Sequence, residues 1–254
     1  MQVSVLASGS KGNSTYVHTN KLDLLIDLGP TCSYVEKKLE ELNVDAKNIK
    51  AILITHTHSD HIKGLKVFVK KYKPTLFLTK KMLDDLNELF DVEDYVLIEN
   101  DFDIESIHVR VVKTSHDASD SNAYIIEEEN HSVVYITDTG FINQKYFDVL
   151  KNRSIYIMES NHDVEMLLKG RYPYQLRRRV LSDRGHLSNI DSAHYLSKFI
   201  GSNTKEIILA HLSEENNTKE VALNTLLGVL EEHHLKVDKI EVADQFEKTE
   251  LITL

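Results

Sequence analysis

Residues 55–61 read Thr-His-Thr-His-Ser-Asp-His and follow the apolar run Ala-Ile-Leu-Ile. Three imidazoles and a carboxylate thus stand at the mouth of a buried-type strand. Neutral imidazole and carboxylate are the usual ligands of borderline divalent metals. Packing four such groups together gains a folding chain little unless an ion sits between them. Alternation along an extended segment sends His56 and His58 to one side. Asp60 and His61 are adjacent and suit a turn that aims them at a second point nearby. The spacing therefore points to two neighbouring metal positions.

Further candidate ligands recur downstream, each at the end of a strand-like run. His116 follows Val-Val-Lys-Thr-Ser, Asp138 follows Val-Tyr-Ile-Thr, and His211 follows Ile-Ile-Leu-Ala. Asp27 closes Leu-Leu-Ile. Strand ends are rigidly supported, which makes them suitable places for a site. Glu159 ends another strand, and His186 in Gly-His-Leu-Ser-Asn stands just before a helix start. A carboxylate that hydrogen-bonds a histidine can hold it as a general acid, and protonating a leaving alkoxide is what phosphodiester cleavage requires.

The elements that must position these groups alternate along most of the chain. Strands are expected at 3–7, 14–18, 22–27, 51–55, 75–78, 96–99, 107–114, 123–128, 132–137, 155–158, 206–210 and 237–242. Helical spacing covers 33–42, 64–72, 79–90, a segment from Ser188 to about Gly201, and 218–232. Ser188-Asn-Ile-Asp191 resembles a capping box with Asp in place of Glu. The turn at 8–13 reads as a hairpin, with backbone N–H groups that could cradle an anion.

The chain has 254 residues, 41% of them hydrophobic, with a net charge of −10. One domain spanning 1–254 is expected, with a core of ordinary size. No run is apolar enough to span a bilayer. The opening residues lack a basic region ahead of an apolar one, so a cytoplasmic location is expected. A single cysteine, Cys32, excludes an internal disulfide framework and any Cys-rich zinc module. The acidic balance argues against broad attraction to nucleic acid. The basic exception is 169–184, with Lys169, Arg171, Arg177, Arg178, Arg179 and Arg184 around Tyr172 and Tyr174. Such a mixture can track phosphates and stack on bases, so Arg177, Arg178, Arg179 and Arg184 are candidate substrate contacts.

The ordered set Asp27, His56-x-His58-x-Asp60-His61, His116, Asp138, His211 resembles the metallo-β-lactamase superfamily over nearly the whole chain. The resemblance implies an α/β fold, a four-layer αβ/βα sandwich of two mixed sheets flanked by helices, with a dinuclear site between the sheets. It implies that His56, His58 and His116 hold one metal, that Asp60, His61 and His211 hold the other, and that Asp138 bridges them. Asp27 would orient the ligand loop; His162, outside the family's ligand set, is a candidate for positioning the substrate or bracing the site. Two cations ~4 Å apart lower the pKa of a bridging water and clamp the attacked ester, so that a metal-bridging hydroxide is the expected nucleophile. Zinc is the first expectation, with manganese and iron compatible with the same ligands.

Glu159 and the Gly-His186 pair are similar in order to those of the ribonuclease Z branch. Together with Asp60 they form the expected catalytic set. The segments Ala-Ser-Gly-Ser-Lys-Gly-Asn-Ser (7–14), Ile-Thr-Asp-Thr-Gly (136–140), Glu-Ser-Asn-His-Asp (159–163), Gly-His-Leu-Ser-Asn (185–189) and His-Leu-Ser-Glu-Glu-Asn-Asn (211–217) resemble the WalJ/YycJ-type exonuclease branch. That implies a cytoplasmic 5′→3′ DNA exonuclease with a role in mismatch repair. RNA or a nucleotide remains an alternative substrate. A small phosphodiester hydrolase, or a metal-stabilised regulatory protein linked to a cell-wall two-component system, are the competing readings. The 138–211 interval leaves no room for the large extra domain of ribonuclease J-type enzymes.

Overall fold

A computed structural model describes residues 1–254. The first sheet contains β1 (Gln2–Ala7), β2 (Ser14–His18), β3 (Asp23–Ile26), β4 (Ile49–Leu53), β5 (Thr75–Leu78) and β6 (Tyr95–Leu97). The second contains β7 (Phe102–Ile104), β8 (Ile107–Lys113), β9 (Asn122–Glu128), β10 (His131–Ile136), β11 (Ile155–Glu159), β12 (Glu206–Ala210) and β13 (Lys239–Val242). The last strand, β14 (Ile252–Thr253), returns to pair with β1. The sheet orders are β14-β1-β2-β3-β4-β5-β6 and β13-β12-β11-β10-β9-β8-β7. In each sheet a meander of antiparallel strands gives way to parallel ones, at β3–β4 in the first and β10–β11 in the second.

Strand periodicity builds the layers. In β3, Leu24 and Ile26 enter the core between the sheets, while Leu25 faces the other way. In β11, Ile155 and Ile157 point inward, and Tyr156 and Met158 point outward. The outer face of the first sheet is covered by α1 (Cys32–Glu40), α3 (Leu65–Tyr72) and α4 (Lys80–Asn87), through Val35, Leu39, Leu65, Phe68 and Met82. The outer face of the second is covered by α5 (Phe147–Leu150), α8 (Asn189–Phe199) and α9 (Lys219–Glu232), through Leu150, Leu196, Phe199, Leu226 and Val229. The result is the four-layer αβ/βα sandwich. Helices α2 (Ser59–Ile62), α6 (Val164–Lys169) and α7 (Tyr174–Val180) are short and sit at the rim. No helix is long and apolar enough to cross a membrane.

The ends of α8 differ slightly from expectation. Ser188 Oγ accepts from Asp191 N, as a cap should. The Asp191 carboxylate then takes the Ser188 hydroxyl at 2.5 Å rather than reaching back to the Ser188 backbone N–H. Asp is one methylene shorter than Glu, so the reciprocal half of the box is out of reach. Cys32 opens α1, is buried, and donates its thiol to Glu36 Oε1, which is a packing role.

Candidate metal centre

The carboxyl ends of β3, β4, β8, β10, β11 and β12 converge on one edge of the sandwich. Two bonds close that edge: Asn122 N donates to Thr55 O (2.9 Å), and the Tyr124 hydroxyl to Ile54 O (2.6 Å). Loops leaving the carboxyl ends of parallel strands are where α/β folds bind ligands. Three of the residues there hold left-handed backbone: Asp27 (φ 58), Asp138 (φ 57) and His211 (φ 55). Non-glycine residues pay for this conformation, and it concentrates at functional sites. Here it turns each chain sharply off its strand at the cleft.

The ligand turn after β4 is locked from beneath. Asn13 N donates to Asp60 O (2.8 Å), Leu28 N to His61 O (2.8 Å), and Gly64 N to Leu28 O (3.0 Å). Gly29 lies so close that a Cβ there would stand 1.6 Å from the Asp60 carbonyl oxygen. Only glycine allows the 27–30 loop to seat the turn that carries Asp60 and His61.

Four ligand sets come together. They are His56, His58 and His116; Asp60, His61 and His211; His56, His61 and Asp138; and Asp138, Glu159, His186 and His211, with the candidate ligand atoms in each set within 4.8 Å of one another. Asp138 Oδ2 lies 3.1 Å from His61 Nε2, and its Oδ1 lies 3.7 Å from His116 Nε2 and 3.5 Å from His211 Nδ1. It thus stands between the two triads. Asp60 Oδ2 lies 3.6 Å from His61 Nε2 and 3.7 Å from His211 Nε2.

The outer nitrogens are tethered in a consistent way. His61 Nδ1 sits 2.7 Å from Asp27 Oδ2, His211 Nδ1 3.0 Å from Glu159 Oε1, His116 Nδ1 3.2 Å from Gly185 O, and His56 Nδ1 3.1 Å from Thr55 Oγ1. In all four the Nε2 atom is turned into the ligand cluster, where His116 Nε2 meets His58 Nδ1 (3.2 Å), and this is how proteins orient metal-binding imidazoles. His56 Nε2, Asp138 Oδ2 and His211 Nε2 are buried with no hydrogen-bond partner. Buried polar atoms are normally satisfied. The nitrogen and carboxylate donors, their burial and their unspent lone pairs therefore fit divalent cations.

Electrostatics follow from burial and crowding. Burial pushes the His56 and His116 imidazoles below their ordinary range. Burial also opposes the charge on His211, but Asp138, Asp60 and Glu159 outweigh it and raise the imidazole to about 10. Burial alone would raise Glu159, yet His186 and His211 beside it hold the carboxyl down at about 2. Glu159 is a fully buried anion with four donors. Oε1 faces His186 Nδ1 (2.8 Å) and His211 Nδ1 (3.0 Å), and Oε2 accepts from Thr139 N (3.0 Å) and Leu187 N (3.1 Å).

His58, Asp60, His116, Asp138, His186 and His211 line one cleft of about 210 Å³, together with Asn161 and Arg179. The other arginines are occupied elsewhere. Arg177 Nη1 donates to Leu168 O (2.5 Å), Arg184 donates to His116 O (3.1 Å from Nη2), and Arg178 lies over the Tyr174 ring at 5.8 Å. Arg179 is clamped by Asp117 through Nε (2.5 Å) and Nη2 (2.9 Å). The expectation of substrate contact for all four arginines narrows to Arg179, because only its side chain reaches the cleft. His162 is buried, with neither ring nitrogen hydrogen-bonded, and burial lowers its imidazole to about 4. Its backbone, not its ring, ties the strands: His162 O accepts from Asn189 N (2.9 Å).

Sequence reasoning missed Asn13 and Asp117. Asn13 Nδ2 sits 3.0 Å from His61 Nε2 and 3.3 Å from Asp60 Oδ2. It belongs to the glycine-rich turn at 8–13, where Gly9 N donates to its side-chain oxygen (2.8 Å). A lone Asn in such a turn carries no signal in the sequence alone.

The fold and this cluster define a metallo-hydrolase, and the chain belongs to the metallo-β-lactamase superfamily, whose family model matches residues 7–211. It is a metal-dependent hydrolase. Within the superfamily it falls in the WalJ/YycJ branch. It is 40% identical over 243 residues to "Exodeoxyribonuclease YycJ" of Bacillus anthracis, covering 91% of this chain and 90% of that protein. It is 39% identical over 246 residues to "Exodeoxyribonuclease WalJ" of Streptococcus pneumoniae serotype 2 (strain D39 / NCTC 7466), covering 92% and 90%. The metallo-beta-lactamase fold protein YhfI of Bacillus subtilis superposes with a TM-score of 0.76 at 16% identity, over 98% of this chain and 99% of that one, a likeness of fold alone.

Proposed function

We propose that this chain is a DNA exonuclease that hydrolyses phosphodiester bonds in the cleft at the carboxyl edge of its sheets. The observation that carries the reading is His186, held by the buried Glu159, set beside Asp138 and lining the same cleft as the ligand cluster. The names borne by the two curated relatives turn the phosphodiester toward DNA. His56, His58 and His116 would hold one cation, Asp60, His61 and His211 the other, with Asp138 between them. Zinc is the favoured metal, and manganese and iron suit the same donors. Bound cations supply Lewis acidity, which activates water and offsets charge on the phosphodiester.

The chain's own residues do the rest. Glu159 Oε1 fixes His186 through Nδ1, so the opposite nitrogen, Nε2, is the one that can deliver a proton to the leaving oxygen. Arg179 keeps Nη1 unpaired while Asp117 holds the rest of its guanidinium, which suits a contact to a phosphate oxygen. Arg184 supports the His116 loop from behind through His116 O. Asp27 and Asn13 hold the ligand turn. A 5′→3′ direction, a part in mismatch repair and a cytoplasmic setting accompany this reading through the resemblance to the WalJ/YycJ branch.

The test is to strip the protein with chelator, restore single metals, and offer DNA labelled at either end. Metal-restored loss of nucleotides from the 5′ end is the expected result. Absence of DNA cleavage with every metal, alongside turnover of a thioester or lactam, would falsify the reading.

A further inference from the structure

A second groove opens directly beside the cleft and shares Ser10 and Asp60 with it. Its volume is about 450 Å³, and Lys11, Tyr34, Lys63 and Phe246 contribute to its walls. Phe246 is 52% exposed, a large ring left in water. Lys11 Nζ lies 5.2 Å from the centre of that ring and 2.8 Å from Glu214 Oε1. The other carboxylates nearby are spent on other lysines: Glu247 on Lys38 and Asp244 on Lys219.

Lys63 links this groove to α3. Lys63 and Gly64 both have right-handed helical backbone, so α2 runs almost without interruption into α3. Lys63, Lys66 and Lys70 follow at i, i+3 and i+7 and share one helical face. None of the three makes an ion pair, although Lys71 and Lys80 beside them pair with Glu36 and Asp84. Lys66 and Lys70 line the next surface depression, which turns acidic at Asp91, Glu93 and Asp94. The unpaired ammonium groups therefore run from the metal centre outward for roughly 10 Å along the helix axis. Lys66 Nζ makes a long bond to Leu89 O (3.4 Å), and no carboxylate neutralises any of the three.

We propose that this groove and the Lys63–Lys66–Lys70 face form the track for a single nucleic-acid strand, with the lysines on phosphates and Phe246 stacked on a base beside the scissile bond. The proposal rests on the nuclease reading and deepens it. An aromatic platform next to a line of cations is the general solution for binding a strand without reading its sequence. The roughly 10 Å of helix lets the three ammonium groups reach neighbouring phosphates of one strand. The basic segment 169–184, by contrast, spends Arg177 and Arg184 on protein partners and, of its arginines, brings only Arg179 to the cleft.

The test uses the metal-loaded chain and a fluorescein-labelled phosphorothioate single strand, which keeps its charges and resists hydrolysis. Binding is read by anisotropy across a salt series. Reversing Lys63, Lys66 and Lys70 to Glu should weaken binding more than tenfold at low salt. It should also make the slope of log affinity against log salt shallower by about two, at ~0.7 per lost phosphate contact. Phe246→Ala should weaken binding roughly tenfold with the slope unchanged, because stacking releases no counterions. Reversal of Lys145, Lys198 and Lys236, on the opposite helical layer, adds the same negative charge and controls for net repulsion.

An equal loss in both lysine triples, or no loss in the first, overturns the track. Unchanged strand binding is also the result expected if this face instead meets an acidic protein. Cleavage by the wild type is scored separately. A wild type that binds through these residues yet cuts no DNA sinks the nuclease reading and leaves the track standing.

Discussion

Individual side chains here do chemistry only through what fixes them. His186 faces a cleft crowded with ligands, yet its Nδ1 is committed to Glu159, and Glu159 is equally committed to His211. One buried carboxylate therefore couples the candidate acid to the candidate metal ligand. His186→Ala should lower kcat on DNA by roughly 10²–10⁴-fold, the usual worth of a positioned acid. The same variant should turn over an aryl phosphodiester at close to the wild-type rate, because a nitrophenolate leaves without needing a proton. Equal losses on both substrates would remove the acid role. Glu159→Gln should reach further, weakening metal retention by roughly 10- to 100-fold as well, as loss of a ligand's supporting partner does.

At the level of elements, the cleft depends on α4 as much as on the strands. Asp85 on α4 accepts from Thr57 Oγ1 (2.6 Å), the residue between His56 and His58, and from Ser119 in the loop that carries His116. One carboxylate thus ties together two loops from different sheets that together supply one ligand triad. Asp85→Ala should cost about 1–3 kcal/mol of stability. It should also lower metal occupancy at His56, His58 and His116 more than at the other triad. Metal stoichiometry after dialysis, set against a chemical denaturation curve, checks both. Full retention of two metals would show that the strand ends alone hold the loops.

Much of this element-scale arrangement was legible in advance. Strands 14–18, 75–78 and 206–210 match their expected ranges, because unbroken apolar or alternating runs bounded by polar turns leave little choice. The edge strands β7 and β14 and the rim helices α6 and α7 were not foreseen. They bury little, so their residues carry no clear periodic signal.

Across the whole molecule, burial and charge set the response to metal and pH. We propose that residues 1–254 unfold as one cooperative unit, since the core between the sheets draws on strands from both ends of the chain, from Val3 to Ile252. The metal-free chain should melt in a single transition, and metal should raise Tm with the logarithm of its free concentration. Two separate transitions in the absence of metal would contradict the single unit. His211 is raised to about 10 by the carboxylates around it. Its proton stabilises the metal-free fold fully below the ordinary imidazole range, and that contribution is lost as pH rises through about 10. A metal ligand must be neutral, so cation and proton compete. Apparent metal affinity should therefore climb as pH rises from 6.5 toward 10, with proton release on binding. Calorimetry in buffers of different ionisation enthalpy measures that release, and a pH-independent affinity would refute it.

By itself the sequence determined the kinds and order of the chemical groups. The ligand types and their places at strand ends follow from local rules, because periodicity and residue chemistry act over a few neighbours, while the two-sheet fold was implied by the family resemblance that those residues carry. Only the tertiary structure decided how those groups are shared. It gave Glu159 two histidines instead of one and set Asn13 beside His61. It also spent most of the arginines on protein contacts while leaving Lys63, Lys66 and Lys70 without a carboxylate partner. Those outcomes depend on which distant loops meet across the sandwich edge, and no single stretch of chain encodes a distance to another.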